Sequence, residues 1–244
     1  MTIYAIGDIH GHLDLLRAAH DRVETDRARE AGTDAPLVHV GDLVDRGPDS
    51  AGVVAFVMAR HAEDARIETL TSNHDRMFTR FLEPVPRPDP RLRAGLGYLS
   101  PQVGGLDTLA SYGVARDAPD PQLAARARVP EAHLAFLRDR PPSLATPQVF
   151  LAHAGVRPGV PLEAQDIDDL VWIREPFLSD TRDHGALVVH GHTPVERVEL
   201  HPNRLAIDTG AAYGGPVSAV AIEEDGRVFV LTDAGRVPVR PMSP

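Results

Sequence analysis

The sequence predicts an α/β fold, and three observations lead to this prediction. Short apolar runs rich in β-branched residues recur along the chain, as is typical of buried strands. Amphipathic helical patterns lie between some of these runs. Several runs end in a small residue that is followed by a polar side chain. In α/β sheets the loops gather at the carboxyl ends of the strands, where ligands bind, so we expect these polar side chains to meet at one rim.

The apolar runs predict eight strands. Five of them precede polar residues, and three lie in the C-terminal third, where a turn at Glu224-Asp225-Gly226 joins the last two. The eight runs are Ile3 to Ile6, Leu37 to Val40, Ile67 to Leu70, Val149 to Ala152, Leu187 to Val189, Leu205 to Ile207, Val217 to Ile222 and Val228 to Leu231.

Two helices are predicted between the first three strands. In the first, apolar residues from Leu13 to Val23 recur at steps of three and four. The second carries an apolar face from Val53 to Met58, and either Asp49 or Ser50 can cap its N-terminus.

The composition changes between about residues 83 and 147. Prolines alternate with arginines from Pro84 to Arg93, and glycines follow. Stretches rich in proline break regular structure. We therefore predict an insertion of loops and short helices at about 83–147, the last helix near His133 to Arg138, within a single domain that spans residues 1–244.

Composition excludes several classes of protein. The 244 residues are 43% hydrophobic, enough for a core, and no apolar run is long enough to span a membrane. The chain has no cysteine, which excludes disulfides, thiolate zinc sites and phosphatases that form a cysteinyl-phosphate. A net charge of −10 argues against nucleic acid as a partner. Met1 leads almost directly into the first predicted strand, which leaves no room for a secretory signal, so we expect the cytoplasm.

The polar residues after the strands form a candidate set of metal ligands. Divalent metals that activate water take carboxylate, imidazole and amide ligands, and a two-metal site needs one group that can bridge. Asp8 and His10 lie two positions apart, so an extended backbone places them on one face. The complete set is Asp8, His10, Asp42, Asn73, His153 and His192.

In order and spacing, the motifs resemble those of bacterial serine/threonine protein phosphatases, in the phosphoprotein phosphatase branch of the calcineurin-like metallophosphoesterases. The most specific is Gly41-Asp42-Leu43-Val44-Asp45-Arg46-Gly47, which matches the second signature of that branch at every position. The other matching motifs are Gly7-Asp8-Ile9-His10-Gly11, Ser72-Asn73-His74-Asp75, His153-Ala154-Gly155, Gly191-His192-Thr193 and Asp208-Thr209-Gly210.

The resemblance implies a central β-sandwich flanked by helices, with two divalent metal ions at one edge. Manganese is the expected metal, and iron or zinc would also suit the mixed oxygen and nitrogen ligands. A hydroxide bridging the two metals would attack phosphorus directly. The first metal would be held by Asp8, His10 and Asp42, and the second by Asp42, Asn73, His153 and His192.

The remaining catalytic roles follow from what phosphoester hydrolysis requires. Arg46 and Arg174 are predicted to bind the non-bridging oxygens, because the guanidinium fork binds phosphate with two donors. His74 is the predicted proton donor, since it adjoins the ligand Asn73 and histidine titrates near working pH. By resemblance, Asp45 would orient His74 and favour its protonated form. Asn73 would also contact substrate, and Tyr213 would border the pocket.

Two positions depart from the phosphatase motifs. Ser72 stands where glycine is usual, so the turn before Asn73 cannot need a backbone angle reserved for glycine. Asp75 replaces glutamate, a form also found in dinucleoside tetraphosphate hydrolases. Pro194 stands where broader relatives carry a second metal-binding histidine, which fits the phosphoprotein phosphatase branch.

Other polar residues receive structural interpretations. The acidic run from Asp166 to Asp169 is interpreted as a solvated helix face. His190 lies two residues from His192 and could share its face, but the resemblance selects His192, which follows Gly191 and precedes Thr193. The histidines interpreted as structural are His12, His39, His184 and His190.

The predicted function is that of a serine/threonine protein phosphatase acting on phosphorylated proteins or peptides. Support comes from the stretch Gly104 to Gly113 and the element Trp172 to Glu175, which resemble the bacterial phosphatases. A symmetrical dinucleoside tetraphosphate hydrolase, with a nucleotide substrate, is the alternative. A phosphopeptide-binding module without catalysis is a second alternative. The segment from Glu83 to Ser111 is predicted to lie over the metal cleft and to shape this choice.

Overall fold

The computed structural model describes residues 2–30 and 34–242, which form two β-sheets flanked by helices. The predicted α/β class with a central β-sandwich is therefore confirmed. The strands are β1 (Ile3–Ile6), β2 (Leu37–His39), β3 (Ile67–Thr69), β4 (Ser143–Ala145), β5 (Val149–Ala152), β6 (Leu187–His190), β7 (Glu199–Leu200), β8 (Arg204–Ala206), β9 (Ala219–Ile222), β10 (Val228–Thr232) and β11 (Gly235–Pro238).

Both helices that the sequence predicts near the N-terminus are present. Asp49 caps α2, where its carboxylate accepts a hydrogen bond from the Gly52 N–H at 2.8 Å. The helices are α1 (Leu13–Arg29), α2 (Ser50–Glu63), α3 (Asn73–Phe81), α4 (Gly105–Ser111), α5 (Pro121–Arg128), α6 (Glu131–Arg138) and α7 (Ile167–Trp172).

The sheet topology places the carboxyl ends of the parallel strands, which precede the predicted site residues, at one edge. The first sheet has the order β11-β10-β9-β1-β2-β3, in which β1, β2 and β3 are parallel. The second has the order β4-β5-β6-β8-β7, in which β5, β6 and β8 are parallel. Because each sheet has a parallel set, the loops after those strands can converge at the carboxyl edge of the sandwich.

Two apolar layers fix the positions of the sheets. Alternate residues of the strands, such as Ala5 and Val38 in the first sheet and Leu151 and Val189 in the second, are fully buried between the sheets. The other face of the first sheet packs under α1, α2 and α3 through residues such as Leu37. The alternation therefore gives β1 and β9 two buried faces, which explains why these two strands carry no charged side chain.

The segment 83–147 contains three short helices, α4, α5 and α6, as the composition predicts. It also contains β4, which pairs antiparallel with β5 and which the sequence pattern does not reveal. Side chains such as Leu109 and Leu137 pack into the same core as α1–α3. That residues 1–244 form a single domain remains a prediction. Among the residues described, no helix is both long and apolar enough to cross a membrane.

The interpretation of Asp166 to Asp169 as a solvated face is wrong for Asp169. This side chain is buried and pairs with Arg157 at 2.7 Å and with Arg91 at 3.1 Å. Asp168 in turn accepts a 2.6 Å hydrogen bond from Arg76 on α3. Since its neighbouring arginines come from other segments, the acidic run joins α7 to α3 and to the insertion.

Candidate metal centre and active site

The loops that carry the predicted site have an unusual backbone conformation. In the described part of the chain, the non-glycine residues with positive φ are His10, Asp42, Asp45, Arg46 and His192, with φ from 46° to 73°. Each such residue costs on the order of 1–3 kcal/mol unless its surroundings enforce it. The sequence analysis had assigned all five to metal binding or catalysis, so the strain and the predicted chemistry coincide.

Asp42 lies at the centre of the predicted ligands. Its Oδ2 lies 3.2 Å from His10 Nε2, and its Oδ1 lies 3.4 Å from His153 Nε2. Two groups of possible ligand atoms share this carboxylate: Asp42 with His10 and His74, and Asp42 with His153 and His192. One carboxylate between two sets of imidazoles is the geometry that a bridging ligand requires.

Backbone carbonyls orient two of the imidazoles. His10 Nδ1–H donates to the Val44 carbonyl at 2.9 Å, and His153 Nδ1–H donates to the Val40 carbonyl at 3.0 Å. Each bond selects the tautomer in which Nε2 carries no proton, and both Nε2 atoms lie close to Asp42. His153 Nε2 also lies 2.8 Å from Asn73 Oδ1, which brings the predicted amide ligand to the same point.

The donor atoms present fit a metal centre. Asp8 Oδ1 and His192 Nε2 are buried and have no hydrogen-bond partner, although Asp8 Oδ2 accepts from the His192 N–H at 3.0 Å. A side chain at Gly191 would bring its Cβ within 1.9 Å of Asp8 Oδ1, so only glycine leaves this oxygen free. Buried polar atoms without partners are costly, and a bound cation would satisfy both.

The electrostatics of this cluster also favour cations. Burial, together with the charges of Asp208 and Asp42, raises the pKa of Asp8 well above its usual value. Burial lowers the pKa of His153 to about 4 and that of His192 well below its usual value. His153 and His192 are therefore neutral and able to bind metal. Despite burial, the charge of Asp42 raises the pKa of His10, and the neighbouring imidazoles hold the pKa of Asp42 well below its usual value, so this carboxylate stays ionised.

His74, the predicted proton donor, and Asp45, its predicted orienting residue, are hydrogen-bonded to each other. His74 Nδ1–H donates to Asp45 Oδ2 at 2.7 Å, and both side chains are buried. Arg46 donates to His74 Nε2 and to His10 Nε2, each at 3.0 Å. Burial lowers the pKa of His74, although Asp42 and Asp45 act in the opposite direction. Asp45 thus favours the protonated form, as predicted, but burial outweighs it.

A cleft of about 380 Å³ opens above these groups. Arg174 reaches it from the residues after α7, and its Nη2 donates to the His192 carbonyl at 3.4 Å. Tyr213 is 69% exposed at the rim, and its ring centre lies 5.6 Å from the Arg46 guanidinium carbon. The insertion contributes the outer wall, with Arg91 and Arg93 among the lining residues.

The sequence analysis missed the side chains that hold the loop of Asp42. Asp75 accepts from the backbone N–H groups of Leu43 at 3.1 Å and Val44 at 3.3 Å, and from the Ser72 hydroxyl at 2.8 Å. Burial, with the nearby Asp42 charge, raises the pKa of Asp75 to about 7. Ser72 has an extended backbone, so its turn does not need glycine, as predicted. A second missed pair, Tyr98 and Thr108, contacts Asp45.

The four histidines interpreted as structural make contacts with residues other than the candidate metal ligands. His39 is hydrogen-bonded to His20 and Thr69 in the core under α1 and α2. His190 is buried with its ring edge-on to Phe177, 5.1 Å between ring centres. His12 Nδ1 lies 3.1 Å from the Ile9 carbonyl. His184 contacts Asn203 at 3.3 Å.

Comparison with known proteins identifies the family. The sequence pattern of the calcineurin-like phosphoesterases matches residues 1–208, and the chain belongs to this family. It is an enzyme of the metallophosphoesterase class, whose members use divalent metals to hydrolyse phosphoesters.

Relatives that match over nearly the whole chain carry different names. The chain is 25% identical to the asymmetrical bis(5'-nucleosyl)-tetraphosphatase PrpE of Bacillus velezensis, covering 94% of this chain and 92% of the relative. It is 26% identical to serine/threonine-protein phosphatase 1 of Salmonella typhimurium, covering 91% and 92%. The crystal structure of a cold-active protein-tyrosine phosphatase from a psychrophilic Shewanella has a TM-score of 0.62 at 17% identity, covering 98% of this chain and 80% of that one.

Proposed function

We propose that this chain is a serine/threonine protein phosphatase that uses two divalent metal ions. The observation that carries the proposal is the convergence of Arg46, Arg174 and His74 on one cleft, directly beside the candidate metal ligands. A phosphomonoester needs such a set: cations for its non-bridging oxygens, a proton for its leaving oxygen, and an activated water.

The metals, when bound, would supply positive charge and an activated water; manganese is proposed, and iron or zinc also suit the donors. Two observations support the ligand roles. Asp42 lies between the Nε2 atoms of His10 and His153, and the buried Asp8 Oδ1 and His192 Nε2 have no hydrogen-bond partner. The residues proposed to hold the metals are Asp8, His10, Asp42, Asn73, His153 and His192.

Arg46 and Arg174 would bind the phosphate from two sides. Arg46 is half-buried and follows β2 of the first sheet, whereas Arg174 is exposed and contacts the loop after β6 of the second sheet. Both have guanidinium forks that match two phosphate oxygens at once. Because Arg46 follows a strand of the first sheet and Arg174 contacts a loop of the second, the proposed phosphate position lies between the two sheets at the site edge.

His74 would donate the proton to the leaving oxygen. In the free protein Arg46 Nη2–H donates to His74 Nε2, which keeps that nitrogen unprotonated. When Arg46 turns to the phosphate oxygens, His74 Nε2 is released to take up a proton and face the leaving group. Asp45, bonded to Nδ1–H, would hold the ring in that orientation throughout.

Two observations favour a protein substrate. Serine/threonine-protein phosphatase 1 of Salmonella is similar to this chain along nearly all of both lengths. In addition, the stretch Gly104 to Gly113, which resembles the bacterial phosphatases, contacts the catalytic loop directly. The Gly104 carbonyl accepts from the Arg46 N–H at 3.3 Å, and Thr108 donates to Asp45 at 2.7 Å.

A dinucleoside tetraphosphate is the second candidate substrate. Arg91 and Arg93 line the same cleft as Arg46 and Arg174, so four cationic side chains are available to a polyphosphate. The full-length similarity to the asymmetrical tetraphosphatase of Bacillus velezensis supports this candidate as well. A symmetrical hydrolase would release two equal nucleotides, and an asymmetrical one two unequal nucleotides.

The deciding experiment compares kcat/KM for phosphoserine or phosphothreonine peptides with that for diadenosine tetraphosphate. The protein is stripped of metal and restored with Mn²⁺, and nucleotide products are separated by chromatography. We expect the peptides to be preferred. A clear preference for the tetraphosphate would overturn the protein phosphatase proposal, and its products would then distinguish symmetrical from asymmetrical cleavage.

A pair of arginine variants sharpens this comparison. Arg93→Ala removes a cation from the catalytic cleft, whereas Arg87→Ala removes an exposed arginine of the same segment that pairs with Glu83 at 2.7 Å. If the cleft binds a polyphosphate, Arg93→Ala raises KM for diadenosine tetraphosphate and Arg87→Ala does not.

A further inference from the structure

The Asp45 carboxylate is held from two sides. It is fully buried, and its Oδ2 accepts the 2.7 Å hydrogen bond from His74. Its other oxygen, Oδ1, accepts from the Tyr98 hydroxyl at 2.6 Å and from the Thr108 hydroxyl at 2.7 Å. A buried carboxylate needs such donors, and short bonds to a charged oxygen are strong and directional.

Tyr98 is itself fixed against the helix that carries His74. Its ring stacks on Phe78 at 5.9 Å and lies 4.9 Å from Phe81, both on α3. Only 8% of the residue is exposed. Burial raises the pKa of Tyr98 well above its usual value, so the hydroxyl keeps its proton and can act only as a donor towards the carboxylate.

Thr108 provides the second donor from α4. Its hydroxyl oxygen also accepts from the Asp45 N–H at 2.8 Å, so one side chain fixes both the backbone and the carboxylate of Asp45. The same N–H lies 3.1 Å from the Ser50 hydroxyl, which would keep it satisfied if the Thr108 hydroxyl were lost. Asp45 has a positive φ, and these contacts are what hold it there.

We propose that Tyr98 and Thr108 are positioning residues, which fix the Asp45 carboxylate and thereby aim His74 Nε2 at the leaving oxygen of the substrate. The inference rests on the proposed acid role of His74. As the P–O bond breaks, the proton on Nε2 passes to the leaving oxygen, and Nδ1–H stays bonded to Asp45. The insertion thus supplies part of the catalytic apparatus, besides forming a wall of the cleft.

The test uses Tyr98→Phe with Tyr112→Phe as a matched control. Both rings stack on Phe78, at 5.9 Å and 5.8 Å, but the Tyr112 hydroxyl contacts His133 at 2.9 Å and not Asp45. The substrates are p-nitrophenyl phosphate, whose leaving group scarcely needs a proton, and phenyl phosphate, whose leaving group is poorer. His74→Asn serves as the reference and should lower kcat on phenyl phosphate by about 10²-fold, with a smaller loss on the nitrophenyl ester.

We expect Tyr98→Phe to lower kcat on phenyl phosphate by about 10-fold, a fraction of the general-acid effect, and to leave KM and metal content unchanged. The loss on p-nitrophenyl phosphate should be smaller, and Tyr112→Phe should resemble the parent on both. Equal losses on both esters, or the same selective loss in Tyr112→Phe, would overturn the proposal.

A second pair of variants covers the case in which Tyr98→Phe fails to fold. Thr108→Ser keeps the hydroxyl donor, and Thr108→Val removes it with little change in volume. The selective loss on phenyl phosphate should appear in the valine variant and be absent from the serine variant. Equal behaviour of the two variants would contradict the proposal.

The outcomes separate this inference from the proposed function. Since both esters are small molecules, the test stays valid if phosphopeptides turn out not to be substrates. If His74→Asn shows no dependence on the leaving group, the acid assignment itself is wrong, and the positioning roles are rejected with it.

Discussion

Two clusters of buried histidines in this protein share burial and hydrogen bonding but differ in their surroundings. The candidate metal centre places His10 and His153 within 3.4 Å of Asp42. The structural histidine cluster consists of His20 on α1 and His39 on β2, which are buried, and of His61 on α2, which is half-buried. There His20 Nε2 meets His39 Nε2 at 2.9 Å, and Thr69 contacts the other two histidines at 2.9 and 3.0 Å.

The comparison shows which feature marks a metal site. An unpartnered imidazole nitrogen is not sufficient, because His20 Nδ1 and His190 Nε2 are also buried without partners. Within residues 2–30 and 34–242, the groups of three candidate ligands that converge are both built on Asp42. A carboxylate shared by several imidazoles, and not burial of histidine, therefore distinguishes the catalytic cluster from the structural one.

Asp42→Asn should have the largest effect. The variant keeps the shape of the side chain but removes the charge shared by the two groups of ligands, so both metals should be weakened. We expect activity on an aryl phosphate to fall by about 10³-fold or more, because metal ions contribute several kcal/mol to such reactions. Elemental analysis and the activity assay provide the check. Two tightly bound metals with near-normal turnover would show that Asp42 is not the bridging ligand.

The next prediction compares His192→Gln with His190→Gln. The two histidines flank Gly191, and both are buried. His192→Gln should weaken metal binding by about 10²-fold or more, because loss of a residue that only supports a ligand already costs up to about 10²-fold. His190→Gln should bind metal as the parent does, since its ring packs on Phe177. Metal titration of both variants decides the assignment, and equal losses would mean that the structural interpretation of His190 is wrong.

The prediction with the smallest expected effect concerns how the stability of the folded protein depends on pH through His20 in the structural cluster. Burial, followed by the charges of Arg60 and Arg27, lowers the pKa of His20 to about 3. The unfolded chain therefore binds a proton between about pH 6.5 and pH 3 that the folded chain does not, and stability falls as the pH falls through this window. At about pH 5 the loss from His20 alone is about 2 kcal/mol.

His20→Gln removes the titrating group and keeps an N–H that can donate to His39. The variant should lose less stability than the parent between about pH 7.5 and pH 5, while activity at neutral pH is retained. Urea unfolding of the metal-free proteins measures the difference. As a control, His201→Gln removes a half-buried histidine that lies outside the structural histidine cluster, beside Glu199. An identical pH dependence in His20→Gln and the parent would contradict the prediction.

The sequence predicted the parts of the molecule that depend on local pattern. The strand runs and the Asp42 motif are contiguous, so apolar periodicity and motif order were enough to place them. The contacts of Asp45 could not be read in the same way, because Tyr98 and Thr108 lie 53 and 63 residues away along the chain. Only the fold brings them together.

The error at Asp169 has the same physical origin. Its charge pattern is that of an exposed helix face, but Arg157 and Arg91, which are 12 and 78 residues away, bury and neutralise it. The short strand β4 was missed because its three residues, only partly buried, carry no apolar run. Long-range partners therefore set the limit of what the sequence alone could predict here.

The positive-φ residues of the catalytic loops have a consequence for protein engineering. Asp45 and Arg46 hold backbone angles that glycine would adopt at little cost, so a screen for heat resistance would tend to select glycine there. Such variants would relieve backbone strain but discard the carboxylate proposed to orient His74 or an arginine proposed to bind phosphate. Thermostable forms of this enzyme should therefore be sought in exposed turns that do not line the cleft, such as Glu224-Asp225-Gly226.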